Sequence, residues 1–303
     1  MTFISIVGPA KNEAKVLPVF LEKASKGLLK TNSQGEIIII NDGSRDSTAQ
    51  VLQQLQKKYS NLRVVTNLVS KGLTESFQIG IDNSKGDIIA LFCTDMESNP
   101  EEDLPKLITP ILDQDYDFVI GWRQGEKSST IKGIFSESFN NFASLLFGIK
   151  VHDSGWVRAF RKEVIQEIPK LRADWHRYMV FLAANTGFKV KEVKMNFYPR
   201  DVKKSNFGKI GLKRIPIAFF SLISLKLMQL FSKNPMLLFG IIGSTLLSLS
   251  FILGIYVLIL NFFILGNVAS RTPLILLTIM LFLSGIQFVM FGFLADLVIS
   301  RKS

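Results

Sequence analysis

The chain has 303 residues, 48% of them hydrophobic, with 36 Lys and Arg against 25 Asp and Glu and a formal net charge of +11. That balance excludes collagen-like and disordered classes, and a single cysteine, Cys93, excludes an intramolecular disulfide framework. Only four charges, Arg271, Asp296, Arg301 and Lys302, follow Pro235, so the chain reads as a soluble domain of roughly 200 residues followed by a membrane region.

Residues 1–10 lack a basic stretch ahead of an apolar run, which argues against a secretory signal and for a first strand over Thr2–Val7. A helix is expected over 13–27. Four consecutive isoleucines within Glu36–Asn41 mark a strand buried on both faces. The helix expected over Ser47–Tyr59 has Asp46, Ser47 and Thr48 as candidate caps. A strand over Leu62–Thr66, a helix over Gly72–Asn83, a strand over Asp87–Cys93, a helix over Glu101–Gln114 and a strand over Phe118–Trp122 continue the alternation. Such βαβ alternation predicts an α/β fold with a mostly parallel sheet and helices on both faces. Ligands of such sheets bind beyond the carboxyl ends of the strands.

Residues 209–232 set basic residues among Ile, Phe and Leu and predict one or two amphipathic helices lying in a membrane interface; the alternative is that they pack on the soluble domain as ordinary core. Beyond them, Met236–Leu265 and Thr272–Ala295 carry no charge, and each run is long enough to span the hydrocarbon. The short turn between them predicts a hairpin. The expected organisation is therefore a soluble domain over 1–208, juxtamembrane helices over 209–234 and two spans over 235–303. Lys203, Lys204, Lys209, Lys213, Arg214, Lys226 and Lys233 precede the first span, and Arg301 and Lys302 follow the second. The turn holds only Arg271, so both ends are expected in the cytoplasm. A basic collar beside an anionic leaflet accounts for much of the positive charge, and nucleic acid is not expected as a partner.

The polar residues with chemical potential fall at predicted strand ends. Asp42 ends the isoleucine strand ahead of Gly43-Ser44, where a carboxylate would accept hydrogen bonds from a base or ribose, or equally form a turn. Asp95 and Glu97 alternate on a segment expected to be extended, which would put both carboxylates on one side. Two oxygen ligands there suit Mg²⁺ or Mn²⁺ bridging a diphosphate. The alternative is that Glu97 decorates a solvated loop. Arg123, Arg158 and Arg200 lie outside predicted helices, and arginine forks match phosphate oxygens. No GxGxxG, Walker loop, CxxC pair or HExxH is present.

These residues resemble a family. Pro9-Ala10-Lys11-Asn12-Glu13 and Asn41-Asp42-Gly43-Ser44 are similar to the nucleotide-binding signatures of family 2 glycosyltransferases with the GT-A fold. Gly121-Trp122-Arg123, Ile134-Phe135-Ser136, Gly155-Trp156-Val157-Arg158 and Pro199-Arg200 with Ser205-Asn206-Phe207 resemble later motifs of the polyprenyl-phosphate branch, such as dolichyl-phosphate mannose synthases and bacterial undecaprenyl-phosphate glucosyltransferases. The resemblance implies that Pro9, Ala10, Asn12, Glu13, Asp42, Asp95, Arg200 and Ser205 hold a nucleotide sugar. It implies that Asp95 and Glu97 hold a metal, and that Arg123, Ser136 and Arg158 hold a lipid phosphate. It further implies an enzyme that moves one sugar from a nucleotide-diphosphate donor, UDP-sugar favoured over GDP-mannose, to polyprenyl phosphate, with inversion. A homo-tetramer through the membrane helices is also implied by likeness, although Gly240, Gly243 and Gly254 do not by themselves make an interface.

Three positions depart from the pattern. Cys93 replaces the first Asp of the Asp-x-Asp motif, and a thiol is a poor partner for Mg²⁺. The acidic residue expected near Gly155 is out of register, which leaves Asp153 as the catalytic candidate alongside Arg158. Asn206 stands where the closing motif has a Lys. The loss at Cys93 also admits a membrane partner that keeps the fold without catalysis.

Overall fold

The computed structural model describes residues 2–124, 131–171, 173–199, 214–263 and 271–300. The chain divides into two compact units, Met1–Leu222 and Ile223–Ser303.

The first unit is a seven-stranded sheet in the order β3-β2-β1-β4-β6-β5-β7. The strands are β1 (Phe3–Ala10), β2 (Gln34–Asp42), β3 (Leu62–Asn67), β4 (Ile88–Leu91), β5 (Phe118–Gln124), β6 (Arg158–Arg161) and β7 (Val190–Asn196). Helices α1 (Leu17–Lys30), α2 (Thr48–Lys58), α3 (Leu73–Asp82) and α4 (Pro100–Asp113) alternate with the first five strands, as expected. Ile37, Ile38, Ile39 and Ile40 have no exposed surface, as a strand covered on both faces requires. Each buried isoleucine contributes about 1.5–3 kcal/mol, so this run anchors the register of β2 between β1 and β3.

The structure adds elements that hydrophobic periodicity did not announce. Helix α5 (Ile131–Phe147), β6, α6 (Lys162–Glu167), a single 3-10 turn (Trp175–Tyr178), α7 (Met179–Asn185) and β7 follow β5. Strand β6 runs antiparallel to both neighbours, β4 and β5, while the other pairings are parallel. This reversal brings the amino end of β6, Arg158, to the carboxyl edge of the sheet, opposite Leu91 and Ile120. Gly121 makes the close packing there possible: a Cβ would lie 2.7 Å from Met195 Sδ and 2.8 Å from Val157.

Helix α1 starts at Leu17 rather than at 13. Pro18 favours the first helical turn, and residues 13–16 form a turn in which the Val16 and Leu17 amides donate to the Glu13 carbonyl. Helix α4, which packs on α1, is preceded by its cap residue Asn99, whose amide donates to Asp103 Oδ2 at 2.9 Å. Asp103 is fully buried, and its Oδ1 has no hydrogen-bond partner, with Lys106 Nζ 3.7 Å away. Burial pushes this carboxyl up to about 6. A folded pKa above the unfolded value stabilises the fold only at low pH, and that stability is lost as pH rises from about 4 to about 6. Asp103→Asn, which keeps an acceptor for the Asn99 amide, is therefore expected to raise stability by about 1–3 kcal/mol at pH 7.5. Denaturant melts should show that gain shrinking toward zero at pH 4.

Helix α8 (Arg214–Lys233) occupies the region where amphipathic helices were expected, as one continuous helix. Within the first unit, its Phe219 ring lies 5.5 Å from Phe139 and 5.3 Å from Phe142 of α5. The second unit holds α9 (Pro235–Phe263) and α10 (Thr272–Ser300), both long and apolar enough to cross a membrane. They pack closely on each other. A Cβ on Gly243 would lie 2.8 Å from the Gly285 carbonyl oxygen, and Ser250 Oγ donates to the Thr278 carbonyl at 2.9 Å. Small residues let two helix backbones approach in this way.

Candidate functional site

The carboxyl edge of the sheet carries Pro9, Ala10, Asn12, Glu13, Asp42, Asp95, Glu97, Arg123 and Arg158 on or just beyond its strand ends. At the end of β1, Pro9 and Ala10 pair in register with Ile40 and Asn41 of β2. Asn12 follows with a left-handed backbone, φ +56. Its amide donates to Ser44 Oγ at 3.0 Å and its Oδ1 accepts from the Arg45 amide at 2.8 Å. The buried Glu13 donates its amide to Thr48 Oγ1 at 3.0 Å. These bonds lock the β1–α1 turn onto the β2–α2 turn.

Asp42 is fully buried at the end of β2. Its Oδ1 accepts from Asn67 Nδ2 at 3.0 Å and the Lys71 amide at 2.8 Å, and its Oδ2 accepts from Ser70 Oγ at 2.6 Å and the Gly72 amide at 3.0 Å. Burial alone would raise this carboxyl, but the four donors outweigh it and hold it below its ordinary range. Four donors fill the lone pairs of a carboxylate. Asp42 thus clasps the segment 67–72, whose Ser70 also accepts from Lys11 Nζ at 2.9 Å. Gly43, with φ +61, turns the chain away where a Cβ would lie 2.6 Å from the Ser70 amide nitrogen.

The segment after β4 departs from expectation. Asp95 and Glu97 do not alternate on an extended stretch, because Met96 between them is left-handed, φ +60. The segment is a turn in which Asp95 Oδ1 accepts the Glu97 amide at 3.2 Å. Thr94 Oγ1 ties it to the Pro9 carbonyl at 2.9 Å, and the Tyr198 amide ties the Glu97 carbonyl to the chain beyond β7 at 3.0 Å. Both carboxylates are half-buried. Among the described residues no group of three or more His, Cys, Asp and Glu is arranged to hold a metal. Two hard oxygen donors on one turn nevertheless fit Mg²⁺ or Mn²⁺, which commonly takes one or two carboxylates and completes its shell with water and phosphate oxygens. The half-buried Cys93 does not suit that ion.

The arginines frame the same edge. Arg123, near the end of β5, grips Asp153 bidentately, Nε to Oδ2 at 2.6 Å and Nη2 to Oδ1 at 3.0 Å. Its guanidinium also lies 5.7 Å from the Trp156 ring and 5.9 Å from the Phe197 ring. Burial opposes the Arg123 charge, but Asp153 overrides it and holds the group above its ordinary pKa. Arg158 is 1% exposed. It donates Nε to the Trp156 carbonyl at 2.9 Å and Nη1 to the His176 carbonyl. Burial pulls Arg158 down to about 10, with Cys93 and Asp153 the nearby acidic groups acting against that pull. Among the described residues no carboxylate forms an ion pair with Arg158. A buried guanidinium held only by carbonyls is costly, and an incoming anion would relieve that cost. His176 is buried beside it, hydrogen-bonded through Nδ1 to Thr74 Oγ1 at 2.6 Å, and burial holds its pKa well below the usual range.

Ser136 lies within α5. Arg200, Ser205, Lys203, Lys204 and Asn206 lie outside the described residues. Sequence reasoning missed Glu192 on β7 and the ring stack of Trp122 on His152, the neighbour of Asp153. Trp122 and His152 stack with ring centroids 4.1 Å apart, and Glu192 accepts from His152 and Asp153. The one available signal was that His152-Asp153 stand together beside the Gly155 motif.

A mixed sheet of this order, with its sixth strand reversed and its polar groups gathered at the carboxyl edge, is the GT-A fold, and the protein is a glycosyltransferase. Residues 5–169 match glycosyl transferase family 2, and the chain belongs to that family. It is 26% identical to the dodecaprenyl-phosphate galacturonate synthase of Rhizobium johnstonii over 97% of this chain and 87% of that protein. It is 25% identical to the undecaprenyl-phosphate 4-deoxy-4-formamido-L-arabinose transferase of Pseudomonas savastanoi pv. phaseolicola over 97% of this chain and 85% of that protein. The fold is similar to mannosyl-3-phosphoglycerate synthase from Rubrobacter xylanophilus, with a TM-score of 0.59 and 14% identity over 75% of this chain and 74% of that one. It is also similar to glucosyl-3-phosphoglycerate synthase from Mycobacterium tuberculosis solved with Mn²⁺, UDP and glucosyl-3-phosphoglycerate, with a TM-score of 0.54 and 19% identity over 75% of this chain and 79% of that one.

Proposed function

We propose that the enzyme transfers a single sugar from a nucleotide-diphosphate donor, a UDP-sugar such as UDP-glucose, to polyprenyl phosphate at the cytoplasmic face of the cytoplasmic membrane. The observation that carries this reading is the pair Arg123 and Arg158, brought by β5 and the reversed β6 to the edge where the Asp95–Glu97 turn lies. Cations meet carboxylates there, as two phosphorylated reactants would require. The near full-length match to two transferases named for polyprenyl phosphates supports the acceptor class.

In this reading the segment clasped by Asp42 and the turn at Pro9–Glu13 receive the nucleoside. Asp95 and Glu97 would hold Mg²⁺ or Mn²⁺, which when bound supplies charge neutralisation to the departing nucleotide diphosphate. Arg158, with Arg123, receives the lipid phosphate. A phosphate oxygen attacks the anomeric carbon, the bond from that carbon to the donor diphosphate breaks, and the nucleotide leaves with inversion. The phosphate is already an anion near neutral pH, so proton removal by a general base is not needed. The protein's part is positioning and screening of like charges. Asp153 orients Arg123 toward the acceptor. The two apolar helices anchor the enzyme where its lipid substrate resides, and the basic residues flanking them favour a cytoplasmic catalytic unit.

The test is a donor panel. Purified enzyme in nanodiscs containing undecaprenyl phosphate is incubated with UDP-glucose, UDP-galacturonate, a UDP-linked 4-deoxy-4-formamido-arabinose or GDP-mannose, with and without Mn²⁺. A lipid-linked sugar from one UDP donor is expected. Absence of lipid-linked product with every donor would overturn the reading in favour of a non-catalytic partner.

A further inference from the structure

We infer that Glu192, through His152, is the positioning residue that sets Asp153, and hence Arg123, for the acceptor phosphate. The inference rests on the acceptor reading proposed above and extends it to a residue on a different strand. Glu192 sits on β7, in register with Ile120 of β5. Its Oε1 accepts two successive backbone amides, His152 at 2.7 Å and Asp153 at 3.2 Å. Its Oε2 meets His152 Nδ1 at 2.8 Å. One carboxylate thereby fixes both the backbone and the ring of the short turn that carries Asp153.

The surrounding contacts leave that turn little freedom. The His152 ring stacks on Trp122, nearly parallel at 12°. Lys194 Nζ lies 5.2 Å from the Trp122 ring. On the other side, Asn140 of α5 donates to the His152 carbonyl at 2.7 Å. Trp122 immediately precedes Arg123, so the stack and the bidentate pair share one stretch of β5. Glu192 has no contact with the Arg123 guanidinium among the described hydrogen bonds and ion pairs; its influence runs through Asp153. Carboxylates that accept backbone amides are strong, directional anchors. A small misplacement of a charge-positioning turn is enough to cost a phosphate contact.

The experiment is a double-mutant cycle on the full chain in nanodiscs. Binding of undecaprenyl phosphate and, separately, of UDP is measured for wild type, Glu192→Gln, Asp153→Asn and the double variant, with melting temperatures recorded for each. Glu192→Gln keeps an acceptor for the amides and loses the charge, and it can meet the His152 ring only as a donor to an unprotonated Nδ1. It is expected to weaken undecaprenyl phosphate binding about five- to tenfold, a loss of about 1–1.4 kcal/mol, with UDP binding within about twofold. The double variant is expected to be no weaker than Asp153→Asn alone, since a residue acting through another is non-additive with it. Multiplying losses would overturn the inference, as would wild-type binding by Glu192→Gln while Asp153→Asn is impaired. Wild-type lipid binding by Asp153→Asn would instead sink the underlying acceptor reading. His152→Phe, at an exposed position that keeps the stack on Trp122, guards against a folding defect in Glu192→Gln. It is expected to weaken lipid binding two- to threefold, and wild-type binding by both variants would overturn the inference.

Discussion

Replacing Asp95 by Asn is expected to remove divalent-cation stimulation of sugar transfer and to lower kcat by about 10²–10³-fold. The fold should not change. Asp95 sits on a turn, half-buried, and an amide oxygen can still accept the Glu97 amide that Oδ1 accepts at 3.2 Å. What the substitution removes is charge, at the one carboxylate of the motif that Cys93 does not replace. Glu97 alone would leave one anionic ligand on the turn in place of two, which lowers the attraction for a divalent cation at the proposed site. The check is initial rate against Mn²⁺ concentration, with the melting temperature in parallel. An Asp95→Asn enzyme that still responds fully to Mn²⁺ would place the cation elsewhere.

The second large effect is expected at Arg158. Arg158→Met should abolish detectable transfer, a loss of at least about 100-fold, while the melting temperature stays within a few degrees. Two costs oppose each other. Loss of the guanidinium leaves the Trp156 and His176 carbonyls without their donor, at about 1–3 kcal/mol each. Against that, a buried cation with no carboxylate among its described partners carries a desolvation penalty of several kcal/mol, which a methionine of similar volume does not. In the proposed reading the incoming lipid phosphate offsets that penalty. Acceptor titrations on Arg158→Lys separate charge from geometry, because a lysine keeps the charge but replaces the planar fork with a compact point charge. An Arg158→Met enzyme with wild-type turnover would end the anion role.

The first half of the fold was legible because its signals are local. Ile37–Ile40, a short β-branched run, reads as a doubly covered strand, and the turns after β1 and β2 announce themselves through Asn12, Gly43 and Ser44. The second half was not, for physical reasons. Strand β6 is four residues, Arg-Ala-Phe-Arg, with a charge at each end and no alternation to read. Strand β7 places Lys and Glu on a sheet edge, where polar side chains are ordinary. Its functional contribution, Glu192, acts by accepting backbone amides 39 and 40 positions away, which no spacing rule encodes. The Asp95–Glu97 turn was found by residue type yet drawn in the wrong shape. Period two assumes an extended backbone, and Met96 at φ +60 breaks it. Asp42 was assigned to the nucleoside by position, and the structure shows that its lone pairs already belong to the segment 67–72.

That last arrangement bears on how quickly the enzyme can cycle. A loop that waits disordered must be immobilised at each encounter and released afterwards, and the entropy of doing so enters every round. Here a buried, ionised side chain orders segment 67–72 when the polypeptide folds. If the donor binds there as proposed, nucleotide exchange is expected to proceed without that stretch having to melt and re-form.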